Sequence, residues 1–107
     1  MDARELAAVK ALAEAVRRLS NPPGADLLLH AAQLFRPDDH PARIVALAHR
    51  DWRAAALRRL FEAAGSRSPV TSAAELAAAI DGASVMRQAG DGDRADRALS
   101  RSLEALL

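Results

Sequence analysis

The chain has no cysteine and no tyrosine. Without cysteine there is no disulfide framework, no thiol nucleophile and no zinc finger. Lysine is nearly missing as well: 14 of the 15 cations are arginine, and 14 acids leave a formal net charge of +1. A balance this close to zero excludes a strongly electrostatic nucleic-acid binder, though not a local basic patch. Large aromatic side chains are limited to two Phe and one Trp. No apolar run approaches the roughly 20 residues that a membrane-spanning helix needs. Residues 1–12 carry charge from Asp2 onward and have no apolar signal core, so a cytoplasmic protein without a membrane partner is expected.

What remains is alanine and leucine, 27 and 15 of the 107 residues, in a length that suits one domain spanning 1–107. Alanine fills little volume, so a lone chain's core would be thin, and close helix packing or a partner chain would thicken it. Valine and isoleucine are few, and no stretch alternates apolar and polar with period two. The chain reads as all-α with about five helices.

The first helix is expected over 3–19, with Leu6, Val9, Leu12, Ala13, Val16 and Leu19 as its apolar stripe. Asp2 and Glu5 stand at capping-box spacing before it, and Asn21-Pro22-Pro23-Gly24 stops it. A shorter second helix follows over about 25–35. The third and longest, about 40–64, starts after Asp39 and is apolar on two sides. One side holds Val45, Ala48, His49, Trp52, Ala55, Ala56 and Leu60. The other holds Leu47, Ala54, Leu57 and Phe61 between Arg43, Arg50 and Arg58. A helix of that kind belongs between neighbours. Gly65 ends it. Ser72 and Glu75 form a second capping box, opening a fourth helix that runs to about Ala89. Its stripe is Leu76, Ile80, Ala83 and Met86, and Ala78, Gly82 and Val85 line another side. Gly90-Asp91-Gly92-Asp93 turns the chain, with both glycines at positive φ and an Asp as cap, into a last helix over about 93–106.

That last linker is too short for anything but an antiparallel pair. Two readings of the pair stay open. Leu76, Ile80, Ala83, Leu99, Leu103 and Leu106 can form the seam of a four-helix bundle made by two chains, a homodimer, or both helices can pack on their own domain.

Chemistry-bearing residues are sparse. His30 shares a face with Leu27 and Leu34, and His49 with Val45 and Trp52, while His40 sits in a turn. None has another His at metal-pair spacing on one helix face, so His30 and His49 read as packed residues or the polar handles of an apolar pocket, and no metal or cofactor is expected. There is no G-x-S-x-G elbow, no phosphate-binding glycine loop and no paired carboxylate set, so no enzymatic activity is expected. Asp51 and Asp81 read as solvated or Arg-paired. Arg53, Arg58 and Arg59, with Arg50 one turn earlier, read as a solvated basic face.

Taken in order, these segments resemble a known family. Asp38-Asp39-His40-Pro41-Ala42-Arg43, the long Trp52-bearing helix, the string Leu76-Ala77-Ala78-Ala79-Ile80-Asp81-Gly82-Ala83-Ser84-Val85 and the turn Gly90-Asp91-Gly92-Asp93 are similar to the C-terminal domain of tetracycline-repressor-type (TetR-family) transcriptional regulators. The likeness spans about residues 4–107, and its weight lies in order and spacing. It implies a helical domain that binds a small apolar effector and dimerises through its last two helices. It also implies a pocket walled by the second and third helices and the inner side of the fourth, with His30, Leu34, His49, Trp52 and Met86 as lining. The family's N-terminal helix-turn-helix has no counterpart in residues 1–20, so no direct nucleic-acid binding is expected. A second expectation is an interaction protein that forms mixed dimers with a full-length regulator and silences it, and a third, ranked below both, is a small metal-binding or enzymatic helical protein built on the histidines.

Overall fold

The structure is a computed structural model, and it describes residues 2–20 and 40–107. Among the described residues the chain is entirely helical, in four helices: α1 (Ala3–Ser20), α2 (Pro41–Ala63), α3 (Pro69–Gln88) and α4 (Gly92–Leu106). The helix expected over 25–35 lies outside the described residues.

The capping box expected at the start of α1 is formed. Glu5 N–H donates to Asp2 Oδ1 at 2.8 Å, and Asp2 N–H donates back to Glu5 Oε2 at 3.4 Å. Helix α2 starts on His40, whose Nδ1 accepts from Ala42 N–H at 3.1 Å, with Pro41 supplying a pre-set φ in the first turn. The turn histidine is therefore a cap. Helix α3 departs further from expectation. It begins at Pro69, and Ser72 lies inside its first turn, where its Oγ meets Ser66 Oγ at 3.4 Å. A proline at the first helical position needs no N–H partner, so the helix nucleates one turn before the expected Ser72–Glu75 box. Asp91 holds the position before α4 but makes no side-chain cap.

Glycine at positive φ closes α2 and α3. Gly65 (φ 84°) lets Ser66 N–H reach back to Phe61 O, and Gly90 (φ 86°) lets Asp91 N–H reach Met86 O, both at 3.0 Å. Gly92, expected to share the left-handed role, lies within α4 instead.

The core collects one face from each helix. Leu12 and Val16 of α1, Leu57 and Phe61 of α2, Ala73, Leu76, Ile80 and Ala83 of α3, and Ala95 and Leu99 of α4 form one buried cluster. Leu12, Leu57, Leu76 and Phe61 are fully enclosed, each worth about 1.5–3 kcal/mol of burial. The buried line of α1 is Ala8, Leu12 and Val16, so the stripe is rotated from the expected one, and Leu6 and Ala13 face solvent. Helices α3 and α4 make the most extensive pairing, followed by α2 with α3, while α1 packs on α2 and, less extensively, on α3.

Candidate functional site

Among the described residues two helix faces stay largely exposed after the core is built. On α2 the line Ile44, Val45, Ala48 and Trp52 points away from the buried Ala46, Leu57 and Phe61. Trp52 and Val45 are each 59% exposed and Ile44 is 52% exposed. The sequence places apolar residues on two sides of this helix, and the core covers one of them. On α3 the line Val70, Ala74, Ala78, Gly82 and Val85 runs opposite the buried Leu76, Ile80 and Ala83, with Val70 and Val85 more than half exposed.

The expected lining residues divide between these settings. His30 and Leu34 lie outside the described residues. His49 and Trp52, one turn apart, bring their rings to 5.8 Å between centroids at a tilt of 32°, an aromatic pair standing at the surface. Met86 is partly buried and packs on the hydrophobic cluster, so it belongs to the interior of the helix pair.

Of the six residues expected at a chain-to-chain seam, four are buried within the single chain and two are partly buried. Leu76, Ile80, Ala83 and Leu99 are buried inside the single chain, and Leu103 and Leu106 pack against that same cluster. Their spacing is that of a seam, and the seam they fill lies between α3, α4 and the rest of their own chain. Of the two open readings of this pair, packing on its own domain accounts for Leu76, Ile80, Ala83 and Leu99.

An ion pair with a buried guanidinium joins the two helices. Arg53 follows Trp52 and is 8% exposed, and Asp81 precedes Gly82. The guanidinium grips the carboxylate with both terminal nitrogens, Nη1 to Oδ1 at 2.7 Å and Nη2 to Oδ2 at 3.0 Å, tying α2 to α3. Arg53 Nε is buried and has no hydrogen-bond partner among the described residues. The expectation of a solvated basic face therefore fails at Arg53. Its spacing to Ala46, seven residues before, and Leu57, four after, puts it on the core line, a signal that the count of neighbouring arginines obscured. Asp81 is Arg-paired, as one of its two readings had it. Arg58 and Arg59 are exposed, and Arg58 stands 3.9 Å from Glu62.

Among the described residues no three His, Asp or Glu side chains gather as a metal site would require, and no helix is long and apolar enough to cross a membrane. The chain matches no protein-family model, and searches of curated proteins and of solved structures return no match.

Proposed function

We propose that this chain is an effector-binding and dimerisation module of the tetracycline-repressor type, without DNA binding of its own. The observation that carries the reading is Gly82. A glycine in the middle of an exposed helix costs about 1 kcal/mol relative to alanine. Among the described residues nothing explains it: a Cβ built on Gly82 meets none of their atoms within 4 Å. A second helix laid on this face would explain it, because the lack of side chain at Ala78 and Gly82 lets two backbones approach closely. Val70 and Val85 at the two ends would add apolar area that a lone chain leaves in water. In this reading α3 and α4 run antiparallel, and two such pairs meet through the outward face of α3 in an isologous contact. The effector is a small apolar molecule received on the bare face of α2 at Trp52 and His49, and the ion pair between Arg53 and Asp81 transmits its presence to α3.

Sedimentation of the full chain tests the reading. A dimer at micromolar concentration is expected, and Gly82→Leu should return it to monomer with unchanged helical content. A wild-type chain that stays monomeric there, or a Gly82→Leu variant that dimerises as tightly as wild type, overturns it.

A further inference from the structure

We infer that the outer face of α2 pairs, antiparallel, with the same face of a second copy of this chain. This contact is separate from the one proposed for α3, and it needs neither that contact nor an effector.

Two observations on α2 meet here. The first is a seam. Val45, Ala48, Trp52, Ala55, Arg59 and Glu62 follow one another at alternating steps of three and four residues, the spacing of side chains that face a neighbouring helix. All six lie away from Ala46, Arg53, Leu57 and Phe61, which enter the core, and all but the partly buried Ala55 are exposed. Two chains that meet through this seam therefore keep their cores on opposite sides of the helix pair. The second observation is the charge along one edge of the seam. Asp51 and Arg58 flank it on the same side, two helical turns apart, and both are exposed. That distance, about 10 Å along the axis, is too long for them to pair within one helix. Asp51 makes no ion pair among the described residues, and Arg58 stands 3.9 Å from Glu62, an exposed contact of little strength.

The charges choose the direction of the pair. A two-fold axis across the helices reverses chain direction and brings the same edge of each helix together. Centred between Trp52 and Ala55, it sets Trp52 against the partner's Ala55, a large side chain over a small one, and Asp51 beside the partner's Arg58. Symmetry makes each of these contacts twice. A parallel pair would bring the same edge against the partner's Ala56 and the partner's Ala63, where neither charge meets an opposite. Four apolar side chains on one helix make a smaller contact than the roughly 1,000 Å² of a stable interface, so the pairing is weak and forms at concentrations on the order of 100 μM. An effector received at Trp52 would occupy the same side chains, so its binding and this pairing exclude each other.

The test follows the full chain by sedimentation and by the emission of Trp52, from about 1 μM to about 500 μM, a range that brackets a weak contact. Trp52 is the sole Trp and there is no Tyr, so the emission reports this face alone. It should move to shorter wavelength as larger species appear, and it should do so in Gly82→Leu as well. Asp51→Arg and Arg58→Asp each turn two cross-chain attractions into repulsions and should weaken the association roughly ten-fold. Both positions are exposed, so helical content should stay that of wild type. Mixed in equal amounts, the two variants should associate as wild type does, because each then meets the opposite sign on its partner. A wild-type emission that does not change with concentration, a shift that survives in both single variants, or a mixture that associates no better than its components would overturn the inference. The α3 contact, read at micromolar concentration, is judged separately.

Discussion

Helices α3 and α4 are joined by three residues and share one buried seam, yet their outer sides are opposites. Around α4, Asp93, Arg94, Asp96, Arg97, Arg101 and Glu104 face water, and the apolar residues Ala95 and Leu99 are used up by the chain's own core. Helix α3 buries its Leu76–Ile80 side in the same core and still turns Val70, Ala74, Ala78, Gly82 and Val85 outward. A one-sided helix is finished when its domain is folded. A helix apolar on both sides is finished only when something lies on the second side. The same contrast separates α4 from α2, whose Trp52 side is bare.

The largest effect sharpens this contrast within α3 itself. Ile80→Glu should abolish folding, because it buries an unpaired carboxylate in the cluster at a cost of several kcal/mol. Val85→Glu, less than two helical turns further on, should change the stability of the dilute chain by less than about 0.5 kcal/mol while dissociating any dimer. Circular dichroism and sedimentation separate the two outcomes. If Ile80→Glu stays helical and only dissociates, the inner and outer faces of α3 have been assigned the wrong way round.

Next in size is the tie between α2 and α3. Arg53→Met leaves Asp81 beside a closed interface without its guanidinium and should cost about 2–3 kcal/mol in denaturant unfolding, a figure reduced because the Asp81 side chain is 32% exposed. Arg53→Met/Asp81→Leu should recover most of that loss, since removing both charges removes the desolvation cost with the attraction. A single variant as stable as wild type would show that α2 and α3 are held by apolar packing alone.

Gly82→Ala has an expected sign that depends on concentration. In a dilute lone chain the open space around Gly82 admits a methyl group, and the variant should gain about 1 kcal/mol of helix stability. At concentrations where wild type is paired, the same methyl group should weaken association. A gain that is equal at all concentrations would mean that the α3 face stays in water.

Much of this arrangement was legible in the residues. Helix spacing placed α1 and α4 to within a residue or two, and the apolar line from Leu76 through Ile80 and Ala83 is buried as its periodicity implied. What periodicity could not decide is which chain a seam belongs to. Leu99 and Leu103 look the same from the sequence whether they face their own helix bundle or a neighbour's, because both environments select leucine. Arg53 departs from the expected solvated face for a related reason: a guanidinium on the core line differs from one at the surface only by the carboxylate that waits 28 residues later. The start of α3 lies before the expected one because two valid signals compete, Pro69 and the Ser72–Glu75 box, and the proline comes first along the chain.

The smallest effect concerns the side of the pair where α4 is already finished. Arg87 reaches across to Asp96 at 2.5 Å, joining the end of α3 to the second turn of α4. The geometry is short, but the Asp96 side chain is 66% exposed, so water competes for the carboxylate and salt screens it. Asp96→Ala should therefore shift the unfolding free energy by less than about 0.5 kcal/mol, and less still at high salt. The packing of α3 on α4 is held by Leu76, Ile80, Ala95 and Leu99, which such a change does not touch. A loss of more than about 2 kcal/mol would make the ion pair a principal closure of the turn, beyond what an exposed pair ordinarily contributes. The charged exterior of α4 would then be holding the fold together, and the contrast with α3 would no longer be one between a finished surface and an unfinished one.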